Sequence, residues 1–552
     1  MTAAPADRKI KPSLTPAGHV PWPPAVAVQE LSLSLKSLAT AAALAVLGAP
    51  AASGVLAHAS RAAAGVAHAR PSSDGLPLRS PTTVGMSAER LASVDRVVLS
   101  GITAGGYPGA AVVVGRGGYS VVKRGYGHLT WAADSPTADE HSIYDLASLT
   151  KVVGTTSAIM VLYDEGKVDL DAPVSRYVPE FSGGAKDRVT VRHLLTHRSG
   201  LPAGRDLWRL TSSPAEARRE VIATPLYCSP GACYEYSDLG ADLLGFVVEA
   251  ASGEHLDQFL ARRVFGPLGM NDTYFRPPAA LRSRVAPTEV APPRGYPLRG
   301  EVHDENAYAL GGVAGHAGLF SSAADLSIFA QTLLNGGVYN GTRVFADSTV
   351  RLFTRREFGS RALGWDTCVN GSTSGSCGSL MGPDAFGHTG FTGTSVWMDP
   401  LRGMFVVLLT NRVHQARARR PAKVIADVRA DLADAAELAV IDDPRGVREM
   451  PGSFRADDEV DWNRAPERAE RAPTHRVSRR SGRHESRHKS GRGRPESRAR
   501  GSARGSTSRS EGHASGKRSA SHAGAKSGST HGGGSGGKSK ESTRGHSSKR
   551  RG

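Results

Sequence analysis

The chain changes character near residue 471, and that break decides how much of it can fold. Residues 471–552 hold 22 Lys+Arg against 4 Asp+Glu, with Val477 as the one large aliphatic side chain and no aromatic residue. A segment of that composition cannot bury enough apolar surface to offset its ordering entropy, and is expected to be a disordered basic tail rich in Ser, Gly, Arg, Lys and His. The full 552 residues carry 69 basic and 52 acidic side chains, so residues 1–470 keep 47 against 48 and are close to neutral. The high isoelectric point therefore belongs to the tail and gives no reason to read the rest as a nucleic-acid binder.

The N-terminal 75 residues also stand apart. Lys36 precedes an uncharged Ala/Leu/Val-rich run from Ser37 to Ala57, followed by Ala57-His58-Ala59 and Ala67-His68-Ala69. Positive residue, apolar stretch and small-residue cleavage site are the order of a secretory signal, though it starts about 30 residues late. A signal or uncleaved anchor within residues 31–69 is expected, with export to the periplasm or the extracellular space. Gly48, Pro50 and Gly54 interrupt the run and weaken a membrane-spanning reading, and no other stretch is apolar enough to span a bilayer. Residues 76–440 have globular composition, and residues 441–470 read as a Pro- and acid-containing linker. Four cysteines fall in two local pairs, Cys228/Cys233 and Cys368/Cys377, without the spacing of a zinc or redox motif. In an exported chain these suggest two loop-stapling disulfides; four free thiols are the alternative.

Inside the globular region, Ala110–Val114 and Tyr119–Lys123 read as a hairpin across Gly115–Gly118. Ser148 to Glu165 reads as one helix stopped by Gly166, Leu239 to Ala251 as another ending at Gly253, and Ala323 to Leu334 as a third before Gly336-Gly337. Thr394–Met398 and Met404–Leu409 flank Asp399-Pro400-Leu401-Arg402-Gly403 as a second hairpin. Strands at both ends with helices between predict an α+β fold, an antiparallel sheet flanked by helices with an all-helical subdomain.

Three short constellations carry chemistry. Ser148-Leu149-Thr150-Lys151 places a hydroxyl and an amine one turn apart on a helix, where the amine can activate the hydroxyl; a capping Ser with a solvated Lys is the plain alternative. Tyr236-Ser237-Asp238 puts a phenol just before a helix, where near a cationic Lys it can relay protons. Gly387-His388-Thr389-Gly390-Phe391-Thr392-Gly393 leads into the late strands, with small residues that let a substrate lie along a sheet edge.

In this order and spacing the three resemble the serine β-lactamase and penicillin-binding-protein superfamily, most closely its class C-type branch of esterases, D,D-carboxypeptidases and D-aminopeptidases. Val191–Pro202, Gly266-Pro267-Leu268-Gly269-Met270 and Gly390-Phe391-Thr392-Gly393 are similar to further family landmarks, and the resemblance spans about residues 80–420. It implies a β-lactamase/transpeptidase-like fold with Ser148 as the acylated nucleophile, and Lys151 and Tyr236 sharing base and relay work. It also implies an oxyanion hole from the backbone N–H groups of Ser148 and Phe391, and substrate contacts from Asp238, His388, Thr389 and Gly390. No cofactor and no metal are implied. Two residues depart from the pattern of the lactamases. Asp238 replaces a common Asn and, when ionised, only accepts hydrogen bonds. His388 replaces Lys, so the charge that attracts a substrate carboxylate becomes conditional on pH.

Gly300–Asn306 and Gly311–Ser321 resemble the subgroup of penicillin-binding-protein-like enzymes linked to peptidoglycan fragments and muropeptide amidase activity. There His303, Asp304 and His316 read as loop residues of a substrate groove, with a metal site or structural turns as the alternatives. The implied function is an exported serine hydrolase acting on esters or on peptidoglycan-derived peptides and amides. A β-lactamase, a muropeptide amidase and a non-catalytic penicillin-binding-like protein are the alternatives. The substrate is expected to be a small molecule or peptidoglycan fragment. The tail is expected to touch envelope polyanions through salt-sensitive charge pairing; without aromatic residues it offers no specific nucleic-acid recognition.

Overall fold

The computed structural model describes residues 73–369, 375–415, 422–443 and 445–455. The expected signal or anchor and the basic tail lie outside the described residues. Six strands form one antiparallel sheet: β1 (Gly109–Arg116), β2 (Tyr119–Gly127), β3 (Asp366–Thr367), β4 (Phe386–Thr389), β5 (Ser395–Asp399) and β6 (Met404–Thr410). Their order is β2-β1-β6-β5-β4-β3, so the first hairpin joins the last one through the β1–β6 pair, with Val112 opposite Leu408. Strands β1 and β6 read as unbroken apolar runs because both faces of the sheet are covered. Ala111, Val113, Val407 and Leu409 face one core, while Ala110, Val112, Val114, Val406 and Leu408 face the other.

Helices α1 (Ser93–Thr103) and α5 (Ala422–Leu438) close the second of these cores. The first is filled from the helical region, including α2 (Ser157–Asp164), α3 (Asp238–Ser252) and α4 (Ala323–Leu334). The expected α+β architecture is present, with the helical region set against one face of the sheet. Helix α3 begins where the Ser237 side chain accepts from the Gly240 N–H and ends at Gly253, whose φ of 74° a glycine adopts without penalty.

The Ser148–Glu165 stretch is not the single regular helix that its periodicity predicts. Ala147–Leu149 is a 3-10 turn, Thr150–Thr156 a π-helix, and only Ser157–Asp164 is α-helical. Hydroxyl groups hold the irregular part: Thr155 donates to the Gly315 carbonyl, Thr150 accepts from the Leu319 N–H, and Ser157 reaches back to the Val152 carbonyl. The first two tie this stretch to the 315–319 loop, and the third satisfies a carbonyl that a uniform helix would pair internally.

The packed region also runs past residue 440, so the expected linker begins too early. Asp442 pairs with Arg116, and Asp443 pairs with the buried Arg402, which also holds Asp399 and Glu437. Phe454 is buried in the α1/α5 core, and Arg455 bridges Asp431 and Asp434 of α5. Charge in this segment misled the sequence reading because its acids are used as ion-pair partners. Both cysteine pairs are joined, Cys228 to Cys233 and Cys368 to Cys377. Among the described residues no helix is long and apolar enough to cross a membrane. Replacing Phe454 with Ala should destabilise the fold by about 3 kcal/mol, measured by urea unfolding; an unchanged midpoint would show that this segment does not support the core.

Candidate active site

The site is organised around an amine. Lys151 is 4% exposed, and its Nζ donates to Ser148 Oγ at 3.0 Å and to the His316 carbonyl at 3.1 Å. It also forms an ion pair with Asp238 Oδ1 at 2.7 Å. Burial pushes the amine's pKa down, but Asp238 and the neighbouring Tyr236 more than offset that, and the net shift is upward. Lys151 therefore rests as an ammonium that hands a hydrogen bond to Ser148. Asp238 faces this cation as the first residue of α3, where a carboxylate is also favoured by the helix N-terminus.

Ser148 follows a constrained turn. Ala147 has φ of 47°, a conformation that costs an L-residue energy, and its N–H donates to Asp145 Oδ1 at 2.8 Å. The other carboxylate oxygen of Asp145 accepts from the His303 N–H at 2.7 Å. Burial raises the Asp145 pKa, with His303 pulling the other way.

Tyr236 lies over this pair, with its ring centroid 4.9 Å from Lys151 Nζ. His197 stacks beside it at 4.5 Å between centroids and accepts the Ser237 N–H on Nδ1, so that nitrogen carries no proton. Burial and nearby cations keep His197 neutral, well below the usual imidazole range. On the far side, the guanidinium of buried Arg361 sits 5.8 Å from the Tyr236 centroid and pairs with Asp366.

His388, on β4, is 2% exposed and 6.0 Å from Tyr236 between ring centroids. Burial pushes its pKa down to about 4, and the Asp366 carboxylate, 4.0 Å from Nε2, only partly compensates. The pH-conditional charge expected at this position is thus absent near neutrality. Thr389 ends β4, paired across the ladder with Ser395. Gly390 has no room for a side chain, since a Cβ would collide with Thr394 Oγ1 and the Leu146 carbonyl. The next residue, Phe391, is half exposed, and its ring stacks on His303 at 5.9 Å. Thr392 donates to the Asp145 carbonyl at 2.7 Å and Thr394 to the Leu146 carbonyl at 2.9 Å. The Gly390–Thr394 turn is thereby fastened to the residues just before Ser148.

Of the loop trio, His303 and His316 are buried and Asp304 is half-buried. His316 is an imidazolium bridge: Nδ1 lies 2.7 Å from Asp242 and Nε2 2.9 Å from Asp304. Burial opposes that charge, but the two carboxylates hold the His316 pKa well above its usual value. Asp304 is held well below the carboxylate range by His316, against its own burial. Both ring nitrogens are committed, and the peptide carbonyl of the same residue receives Lys151. No cluster of three or more His, Cys, Asp or Glu among the described residues could hold a metal ion. A cavity of about 470 Å³ lies along the 300–312 segment, lined by Trp208, Phe275, Arg276, Glu301 and Tyr308. None of Ser148, Lys151, Tyr236 or His388 lines it, so the side-chain cluster locates the chemistry better than concavity does.

Sequence reasoning missed Asp145, His197, Asp242, Arg361 and Asp366. Asp242 left a signal, an acid in the apolar face of Leu239–Val248 four residues after Asp238. His197 and Arg361 left none, because each meets the ring of Tyr236, which is distant in sequence. Asp238→Asn should let burial dominate at Lys151 and lower its pKa by more than about one unit. A heteronuclear NMR titration of the Lys151 ammonium reads this directly; an unchanged midpoint would mean that Asp238 does not hold the charge.

Comparison with known proteins gives the family and the fold. A family model described as Beta-lactamase matches residues 94–430. Curated relatives from Salmonella agona and Salmonella schwarzengrund, each named putative D-alanyl-D-alanine carboxypeptidase, are 34% identical over 377 residues, covering 61% of this chain and 86% of theirs. Among solved structures, EstCE1, a hydrolase with promiscuous acyltransferase activity, superposes with a TM-score of 0.52 at 22% identity, covering 63% of this chain and 99% of its own. A penicillin-binding protein homologue from Caulobacter crescentus does so with 0.52 at 23% identity, covering 64% and 99%. A class C beta lactamase gives 0.51 at 19%, covering 63% and 98%. At these identities the structures speak for the fold.

Proposed function

The chain belongs to the Beta-lactamase family and is a serine hydrolase, and on that premise we propose that it hydrolyses esters or peptidoglycan-derived peptides as an exported D,D-carboxypeptidase or esterase, through an acyl-enzyme on Ser148. The observation that carries this reading is the 3.0 Å contact between Lys151 Nζ and Ser148 Oγ. A buried ammonium beside the hydroxyl stabilises negative charge on the oxygen as it attacks.

Ser148 Oγ adds to the substrate carbonyl. Tyr236 takes the Ser148 proton while passing its own phenolic proton to the leaving group, and Lys151 stays charged throughout. The carbonyl oxygen collects charge against the N–H groups of Ser148 and Phe391. The bond to the leaving amine or alcohol breaks, and water reverses the proton path to release the acid. Thr389 and Gly390 line the strand edge along which the substrate lies.

Two features favour the carboxypeptidase or esterase reading over β-lactamase or muropeptide amidase work. The curated relatives carry a carboxypeptidase name, which favours the carboxypeptidase, and neutral His388 offers no fixed cation for a substrate carboxylate, that of a lactam or of a C-terminal D-alanine alike, which favours the esterase. Export is supported by the Lys36–Ala69 segment, and the sequenced N-terminus of the mature protein tests it: a start near Ser60 or Arg70 is expected, and Thr2 would overturn it. A fluorophosphonate or fluorescent penicillin should label the wild type, with labelling lost in Ser148→Ala. Equal labelling of both would remove Ser148 as nucleophile. A panel of p-nitrophenyl acetate, nitrocefin, a D-Ala-D-Ala peptide and a muropeptide should show turnover of the ester or D-Ala-D-Ala substrate first; turnover confined to nitrocefin or the muropeptide would sink the preference.

A further inference from the structure

Arg429, on α5, has a setting unlike the other arginines near the site. Its Nη2 donates to the Gly390 carbonyl at 2.6 Å and to the Thr394 carbonyl at 2.8 Å. Its Nε is buried and has no hydrogen-bond partner. Among the described residues no carboxylate pairs with it. Burial, reinforced by the nearby Arg412 charge, pushes the guanidinium down to about 9, so it remains charged near neutrality. Covering a cation without an acid is costly. A brace for the turn alone would be made more cheaply by a neutral donor such as Gln.

The carbonyl that Arg429 grips belongs to the same planar peptide unit as the Phe391 N–H. Resonance links the two ends of a peptide bond: drawing electron density to the oxygen leaves the nitrogen more positive and its hydrogen a stronger donor. We infer that Arg429 is a positioning residue that polarises the Gly390–Phe391 peptide and so strengthens the Phe391 N–H toward the oxyanion formed during acylation of Ser148. The inference rests on the functional reading above, in which Ser148 is acylated and Phe391 supplies an oxyanion donor.

The arrangement has the order such a device needs. The Gly390 N–H donates to the Thr394 carbonyl, which also receives Arg429, and the Gly393 N–H donates to the Gly390 carbonyl. Both carbonyls held by the cation thus lie in one hydrogen-bonded turn, and Thr392 and Thr394 tie that turn to Asp145 and Leu146. Arg412 holds the other side of the residue, donating from Nε to the Phe391 carbonyl at 2.8 Å and lying over its ring at 4.8 Å. Each peptide flanking Phe391 therefore has a guanidinium on its carbonyl. Only the one before it contains the N–H in question.

Two variants separate polarisation from bracing. Arg429→Lys keeps a cation and a donor, whereas Arg429→Gln keeps a donor without charge. The rate of Ser148 labelling by a fluorophosphonate should stay within about threefold of wild type in the Lys variant and fall about tenfold in the Gln variant, with the reagent's apparent binding constant unchanged. The acyl carbonyl stretch of an acyl-enzyme, read by infrared difference spectroscopy, should move to higher frequency in the Gln variant and stay close to wild type in the Lys variant. Equal rates and frequencies in all three proteins would overturn the inference. So would equal losses in both variants that track a fall in melting temperature, since that is the behaviour of a brace. Absence of Ser148-dependent labelling in the wild type would instead refute the functional reading, and this inference with it.

Discussion

A buried ammonium has to be surrounded, and meeting that need organises this protein. Lys151 takes its partners from three separate stretches: the Ser148 hydroxyl, the His316 carbonyl and the Asp238 carboxylate. Each stretch is then fixed in turn. The Ser148 turn is held by Asp145, α3 is started by Ser237, and the His316 loop is pinned where an imidazolium meets Asp242 and Asp304. Lys151 meets His316 through its carbonyl, and the His316 ring sits between two carboxylates. Each of these pairs offsets the cost of burying its charges. Loss of one partner leaves the next uncompensated.

The sheet contributes distance control and little charge. Strand β4 delivers His388 and Thr389, and the turn to β5 carries Phe391 onto the ring of His303. Gly390 packs against Leu146 too closely for any other residue, while Thr392 and Thr394 hydrogen-bond to the same short stretch. The two backbone donors assigned to the oxyanion thus sit on segments tied by side chains rather than by strand pairing. The neutral state of His388 follows from the same closeness, because burial there outweighs a carboxylate 4.0 Å away.

The strands and the long helices were legible because their signals are local: apolar runs for β1 and β6, a capping Ser and a terminal Gly for α3. Ser148, Lys151, Tyr236 and Asp238 were legible through spacing and resemblance, and the structure brings all four together. The π-helical turn was not, since it depends on Gly315 and Leu319, far along the chain. The burial of His316 and His303 was equally hidden, because polar residues among glycines read as exposed loop. Residues 441–455 misled for the opposite reason: their acids look like solvent-seeking groups until Arg116 and Arg402 appear opposite them.

The pairing of β1 with β6 has a consequence for how the molecule comes into being. Leu146 and Thr394, joined by one hydrogen bond, are 248 residues apart in sequence, and the centre of the sheet closes over a similar separation. Contacts of such long range form late, after their loop-closure entropy has been met. During synthesis β1 must wait, its inner edge unpaired, until nearly the whole domain exists, and Asp145 and Leu146 exist long before the turn that they hold. A chain built this way stays inert and open until it is almost complete.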